Sequence, residues 1–441
     1  MSETIKITDV FNGLSVPNKT YVAQENGKYE KSLKLGLHEL GTLCLLTGSS
    51  KTGKTTLYNR VLKDLNKEPL LIRCDETITA DSFWSLPLET LDFTRLKEIQ
   101  NDKGTKNKST GKIKGKIGWQ WLAELIGEVS VGVEGNKSDK EIKELILSKP
   151  SPKHLIPLLK NSNAILVVED FHYLTSEVQK HIFQQWKSFT DQNVSVIVVG
   201  TSHHGVDLAY ANSDLIGRIQ HIDLKRWTSK DLFHIIDSGF LELEIAYNKT
   251  ILNHIAEESS GLPILTQQIC SQLFSDKDLL EVVKGTDIKF TKKNISIALH
   301  NVATSKYKQF EAWYRRLTTG PRKKARKYNT YELILSIFSL DPLKFELERS
   351  EIDDRLNQLN LPVTSHPPMA SVNSTLGSLY KFQKNNGFEL LEWSKNNQAI
   401  YVLEPAFLFY LRWREERNSL DKTIQSLDDL LKSLNVAMEK L

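Results

Sequence analysis

The sequence predicts an α/β domain built on a parallel sheet, followed by a helical segment and a small mixed C-terminal domain. Three observations predict it. A short apolar run at 42–47 leads directly into Gly48-Ser49-Ser50-Lys51-Thr52-Gly53-Lys54-Thr55, and Thr56–Leu62 then continues with apolar residues at helical spacing. The runs 164–168 and 194–200 are apolar on both faces, which suits parallel strands covered on both sides. Helical segments fall between the runs, notably 176–190, and the alternation of strand and helix is the pattern of an α/β sheet.

The bulk numbers agree with this class. At 441 residues the chain has room for two or three domains, each with its own core. Its 40% hydrophobic and 25% charged residues are ordinary for a soluble globular protein. A net charge of +4 says little about partners, so any nucleic-acid argument must come from local clustering. Cys44, Cys74 and Cys270 lie far apart with no C-x-x-C, which fits a reducing compartment and neither a disulfide framework nor a zinc site. No stretch approaches the ~20 apolar residues of a membrane span. The N-terminus lacks the apolar run of a signal peptide, so a cytoplasmic location without a membrane partner is expected.

Along the chain, residues 1–225 are expected to form the nucleotide domain. Residues 1–40 read as a lead-in, with an extended piece at 20–22 and a helix over 31–40. A second strand is expected at 69–74 and a helix at 80–88. Lys103, Lys106, Lys108, Lys112, Lys114 and Lys116 alternate with small polar residues; with a short helix at 119–126 and a strand at 128–133, they mark 101–138 as a basic insertion. Residues 226–312 read as all-helical, with helices at 231–240, 249–258, 265–274 and 295–303. A basic linker is expected at 313–328. Residues 329–415 show three helices (331–340, 351–359, 372–384) and two strands (388–393, 399–403), the layout of a winged helix. In the tail, 416–441, Leu420, Ile424, Leu427, Leu431, Leu434, Met438 and Leu441 are spaced alternately four and three apart. That a/d stripe suits self-association or an amphipathic helix packed on its own domain.

The segment Gly48–Thr55 reads G-x-x-x-x-G-K-T, a complete P-loop in the strand–loop–helix setting the motif needs. Its glycines let backbone N–H groups face a phosphate, and the helix N-terminus adds partial positive charge. Gly48, Ser49, Ser50, Lys51, Thr52, Gly53, Lys54, Thr55 and Thr56 are therefore the expected binding residues for ATP. Lys54 is to reach the β/γ-phosphates and the Thr55 hydroxyl to ligate Mg²⁺. Hydrolysis also needs acids for the metal and the attacking water, a polar group near the γ-phosphate, and usually an arginine.

The run 164–168 ends in Glu169-Asp170, at the sheet edge where ligands of open α/β sheets bind. Glu169 is expected to hold Mg²⁺ through water and Asp170 to orient the attacking water. The usual order is Asp then Glu, so the roles are open to exchange; two acids capping a helix are the alternative. Thr201 and Ser202, after the next core run, are the candidate γ-phosphate contacts, or else part of an ordinary turn. His172 and His203-His204 read as local or loop histidines. Arg218, alone in the apolar stretch 215–219, is either an arginine finger supplied by a neighbouring subunit or an arginine paired at a helix end.

The P-loop, Val167-Val168-Glu169-Asp170-Phe171-His172, the strand ending Val198-Val199-Gly200-Thr201-Ser202, Gly217-Arg218-Ile219 and Gly261-Leu262-Pro263 occur in one order. That order resembles the STAND and AAA+ branch of P-loop ATPases, over roughly 18–300, and is similar to prokaryotic ATPases of the origin-recognition, transposition and NB-ARC type. The resemblance implies a three-layer P-loop NTPase domain, a helical lid, and contact of Pro263 with adenine. It also implies a switch in which ATP, bound between domain and lid, promotes assembly and hydrolysis resets it, with a role in prokaryotic defence or signalling.

Two other functions compete with the switch. Arg315, Arg316, Arg322, Lys323, Lys324, Arg326 and Lys327 place seven positive charges in thirteen residues. The last five are the candidate phosphate contacts of a DNA-binding initiator- or transposition-like AAA+ ATPase; a solvated linker is the alternative. In that reading 372–384 is the reading helix, offering Asn373, Ser374, Lys381 and Gln383. The third function is a nucleotide-gated scaffold with little turnover. Expected partners are a second copy of the chain, a protein partner at the winged helix or tail, and duplex DNA.

Overall fold

The computed structural model describes residues 3–13, 17–89, 151–160, 162–201, 215–321, 327–359 and 361–415. The chain divides into two compact units, Ala23–Lys225 and a second made of Met1–Val22 with Arg226–Leu441. The insertion expected at 101–138, His203-His204, Ser202, four of the five candidate phosphate contacts (Arg322, Lys323, Lys324, Arg326) and the tail 416–441 lie outside the described residues.

In the first unit five strands form one parallel sheet. They are β2 (Leu43–Gly48), β3 (Glu68–Arg73), β4 (Ala164–Glu169), β5 (Val196–Val199) and β6 (Ile219–Leu224), in the order β3-β4-β5-β2-β6. The apolar runs are strands because their alternate residues have two cores to fill. Cys44, Leu46, Val167, Ile197 and Val199 pack on Leu33, Leu57, Tyr58, Val61 and Leu62, from the helices Lys28–His38 and Lys54–Asp64. Leu43, Leu45, Leu166, Val168, Val196 and Val198 pack on Phe83, Trp84, Ile156, Phe183, Trp186 and Phe189 on the opposite face. These come from the short helix Ala80–Phe83, the residue after it, and the helices Pro152–Lys160 and Ser176–Asp191. The result is three layers, with both faces of the sheet covered. The helix expected over 80–88 is two pieces, Ala80–Phe83 and Ser85–Glu89.

The first 22 residues cluster with the second unit, whereas they were expected to open the nucleotide domain. The physical reason is pairing and burial. The strand β1 (Thr4–Lys6) pairs antiparallel with β7 (Glu281–Val283). Phe11 inserts between Phe240 and Phe274, its ring centroid 6.0 and 6.1 Å from theirs. Gly239 makes room for it, since a Cβ there would lie 2.2 Å from the Phe11 ring. Thr20 Oγ1, also buried, accepts a hydrogen bond from Gln267 Nε2 at 2.7 Å.

The rest of this unit begins with helices Ser229–Glu242, Lys249–Glu258, Pro263–Ser275, Lys292–Lys306 and Gln309–Thr319. From residue 313 onward the last occupies ground expected to be basic linker. Phe310 and Leu317 are buried on it and Trp313 packs against the same core, a spacing of three and four that makes one apolar face. Its arginines are partnered: Arg315 pairs with Glu311, and Arg316 donates to the Asn386 carbonyl at 3.2 Å.

Downstream come helices Thr330–Ile337, Arg349–Gln358 and Met369–Asn385, with an antiparallel sheet of order β8-β10-β9. Its strands are β8 (Glu346–Glu348), which the sequence reading missed, β9 (Leu391–Ser394) and β10 (Ala399–Val402). Of the expected reading-helix residues, Asn373 accepts from Arg349 Nε at 2.7 Å. Gln383 is fully buried; it donates to the Leu391 carbonyl at 2.6 Å and accepts from Leu390 and Leu391 N–H, so it ties the helix to β9 and presents nothing to a partner. Lys327 stands over the Tyr328 ring, 5.4 Å from its centroid. The last helix among the described residues, Pro405–Trp413, is buried along its whole length. Among the described residues no helix is long and apolar enough to cross a membrane.

Candidate nucleotide-binding site

In a parallel sheet all strands end on the same edge, and ligands of open α/β sheets bind outside it. Here that edge carries Gly48 at the end of β2, Arg73 at the end of β3, Glu169 at the end of β4, and Thr201 two residues after β5. Strand register thus gathers most of the expected site from four separate stretches of chain.

The P-loop is shaped by its backbone. Gly48 and Gly53 have φ of 143° and 99°, and Lys51 also sits in the left-handed region at 63°. At Gly48 a side chain is excluded on space as well, because a Cβ would lie 2.6 Å from the Leu224 carbonyl oxygen. Thr52 is fully buried and donates to the Ser49 carbonyl at 2.9 Å, closing the loop from inside. Ser49, Ser50 and Thr56 are half-buried around it. The helix Lys54–Asp64 begins with no side-chain cap, so its first N–H groups face the loop.

Lys54 curls back over this loop, its ammonium donating to the carbonyls of Gly48 at 2.9 Å and Ser49 at 2.7 Å. Burial pushes the ammonium down to about 8, against the opposing pull of Asp170 and Glu169. Both acids therefore act on Lys54. Glu169 is buried, whereas Asp170 is exposed with φ 58°. Thr55 Oγ1 donates to Glu169 Oε1 at 2.8 Å. The same oxygen accepts from Tyr58 Oη at 2.9 Å, and Glu169 Oε2 accepts from Arg73 Nε at 3.3 Å. A hydroxyl and a carboxylate held together beside a phosphate-shaped loop are hard oxygen donors, the set that suits Mg²⁺. The donor chemistry of Thr55 and Glu169 thus fits the metal.

Thr201 enters through its backbone, its N–H donating to His172 Nδ1 at 3.4 Å. Burial lowers the His172 pKa, so the ring is neutral and can accept. His172 is thereby a brace between the loop after β4 and the end of β5.

Arg218 is not on this edge. Its carbonyl accepts from the N–H of Leu43, the first residue of β2. Gly48 is five steps along the strand from Leu43, so Arg218 lies roughly 17 Å from the P-loop of its own chain. Its guanidinium donates to Asp191 Oδ1 at 2.7 Å and Thr190 Oγ1 at 3.1 Å, beside a cleft of about 390 Å³ lined in part by Leu40, Gly41 and Asn193. Pro263 belongs to the other unit, where it is the first residue of the helix Pro263–Ser275, preceded by Gly261 at φ 69°.

The sequence reading missed Tyr58 and Arg73. Tyr58 lies three residues after Thr55, hence on the same side of the helix, and is the polar tip of an otherwise apolar face. Arg73 closes an apolar run and sits in register with Glu169.

No protein-family model and no curated protein matches the sequence. Solved structures do match. A Walker-type ATPase of Pyrococcus abyssi aligns at a TM-score of 0.50 and 15% identity, over 91% of this chain and 99% of its own. The chain has the fold of Walker-type P-loop ATPases. Weaker likenesses are Cdc6p of Pyrobaculum aerophilum (TM-score 0.41, 14% identity, 94% of this chain and 100% of the other) and Orc1 of Aeropyrum pernix, solved in complex with DNA (0.40, 13%, 92% and 96%).

Proposed function

We propose that this chain binds ATP with Mg²⁺ at the P-loop edge of its parallel sheet, hydrolyses it, and uses the nucleotide state as a switch for self-association. The observation that carries the reading is the contact of Thr55 with Glu169 beside a Lys54 that both acids attract. Lys54 and the uncapped helix N-terminus bind the β/γ-phosphates. Thr55 and Glu169 hold the metal, which when bound neutralises charge on the phosphoryl group. Asp170, exposed next to Glu169, is free to orient a water and take its proton. This assignment follows from burial: the enclosed acid positions, and the open one meets solvent.

Asp170→Asn keeps ATP affinity while turnover falls about 10²–10⁴-fold, the usual contribution of a positioned base. Steady-state phosphate release alongside nucleotide titration checks this, and unchanged turnover removes Asp170 from the chemistry.

The switch reading follows the STAND and AAA+ resemblance, and the placement of Arg218 supports it. An arginine roughly 17 Å from its own P-loop is out of reach of that site, so any nucleotide it serves is a neighbour's. The three helices and β8-β10-β9 sheet support a winged helix as the protein-contact module. In ATP-dependent assemblies verified by light scattering, Arg218→Ala lowers turnover, and mixing it with Lys54→Ala protein restores activity. Absence of rescue in a demonstrated mixed assembly leaves Arg218 as the intrachain partner of Asp191.

A further inference from the structure

Glu169 occupies a position where the usual residue is one methylene shorter, and a longer side chain has one more torsion to hold. The structure holds it from three sides. Thr55 donates to Oε1 at 2.8 Å, Tyr58 donates to the same oxygen at 2.9 Å, and Arg73 donates to Oε2 at 3.3 Å. These three donors are unequal. Arg73 is about three-quarters exposed, so solvent screens its pull. Thr55 is exposed, and its hydroxyl oxygen is the atom expected to face the metal. Tyr58 is 2% exposed, with its ring packed among Leu57, Val61 and the strand residues of the same core. Among the three, only the phenol is rigidly seated.

We propose that Tyr58 is a positioning residue that fixes the Glu169 carboxylate for the divalent cation, without touching cation or nucleotide itself. The inference rests on the Mg²⁺-ATP reading of the site. A carboxylate oxygen has lone pairs for more than one donor, so Oε1 accepts from Thr55 and Tyr58 together. The Thr55 hydroxyl, donating its proton to Glu169, keeps its own lone pairs for a cation. Tyr58 holds the carboxylate at the place where that donation is made. Partners that orient metal ligands typically contribute 10–100-fold in metal affinity.

The test uses the full chain and a fluorescent ATP analogue, titrated in excess EDTA and then with increasing Mg²⁺. Tyr58→Phe keeps the ring and removes the hydroxyl. The expected result is unchanged affinity in EDTA and a Mg²⁺ concentration for half-maximal tightening about tenfold higher. In a Glu169→Asp background the carboxylate is withdrawn from Tyr58, and Tyr58→Phe adds no further loss. If Mg²⁺ does not tighten binding to the wild type, the metal reading itself fails. If it does and Tyr58→Phe titrates like the wild type, or loses EDTA affinity in parallel with the Mg²⁺ response, the positioning role is overturned. An equal Tyr58→Phe loss in the Glu169→Asp background overturns it too.

Discussion

Lys54→Ala weakens ATP binding by about 10²–10⁴-fold and leaves the fold intact. Hydrogen bonds to charged groups contribute about 1.5–3 kcal/mol each, and two phosphate contacts of that size correspond to this range. The structure gives the reason for the intact fold. Burial has brought the Lys54 ammonium down to about 8, below the ordinary lysine value. Its charge therefore opposes folding below about pH 8, and that opposition fades as pH rises toward the ordinary value. Replacing it at neutral pH removes a buried charge, at the cost of two donors to the Gly48 and Ser49 carbonyls. Titration calorimetry with ATP and a thermal melt together check the prediction. Affinity within threefold of the wild type would sink the P-loop reading, and a collapsed melt would make Lys54 a structural residue.

Glu258→Ala lowers the stability of the unit that holds it by about 3–5 kcal/mol, the usual cost of stranding one member of a buried ion pair. Glu258 and Arg412 are both under 9% exposed and meet in a two-pronged pair, Nε to Oε2 at 2.6 Å and Nη2 to Oε1 at 2.8 Å. Trp413 Nε1 adds a third bond to Oε2 at 2.8 Å. Without Glu258, Arg412 keeps the Ser339 carbonyl and the exposed Asp341. The loss is read by chemical denaturation. Glu258→Leu combined with Arg412→Met recovers part of it, because no buried charge is then left unpaired. A single-variant loss under 1 kcal/mol would mean that water reaches the pair.

The pair also shows where sequence reasoning stops. The helix at 249–258 was expected, Pro405–Trp413 was not, and the two partners are 154 residues apart with no local pattern to link them. Gln383 looked like an exposed polar residue on a reading helix, yet the folded chain uses it to bind the backbone of β9. The helix Gln309–Thr319 was hidden by its charge: arginines on one side drew attention from Phe310, Trp313 and Leu317 on the other.

What the sequence by itself determined is the P-loop and the layered sheet around it. The loop is one continuous stretch whose glycines shape the backbone and whose lysine and hydroxyl project from neighbouring residues, so its chemistry is written locally. The doubly apolar runs are legible for the same reason, since each strand reports its own burial on both faces. Tertiary structure alone decided the company Glu169 keeps, the distance of Arg218 from the P-loop of its chain, and the unit to which the first 22 residues belong. Those depend on strand order and register, which bring Tyr58 and Arg73 to Glu169 across 111 and 96 residues and carry Arg218 to the far edge of the sheet. Strand order follows from how all the layers bury their apolar faces together, a property of the whole chain that no single segment contains.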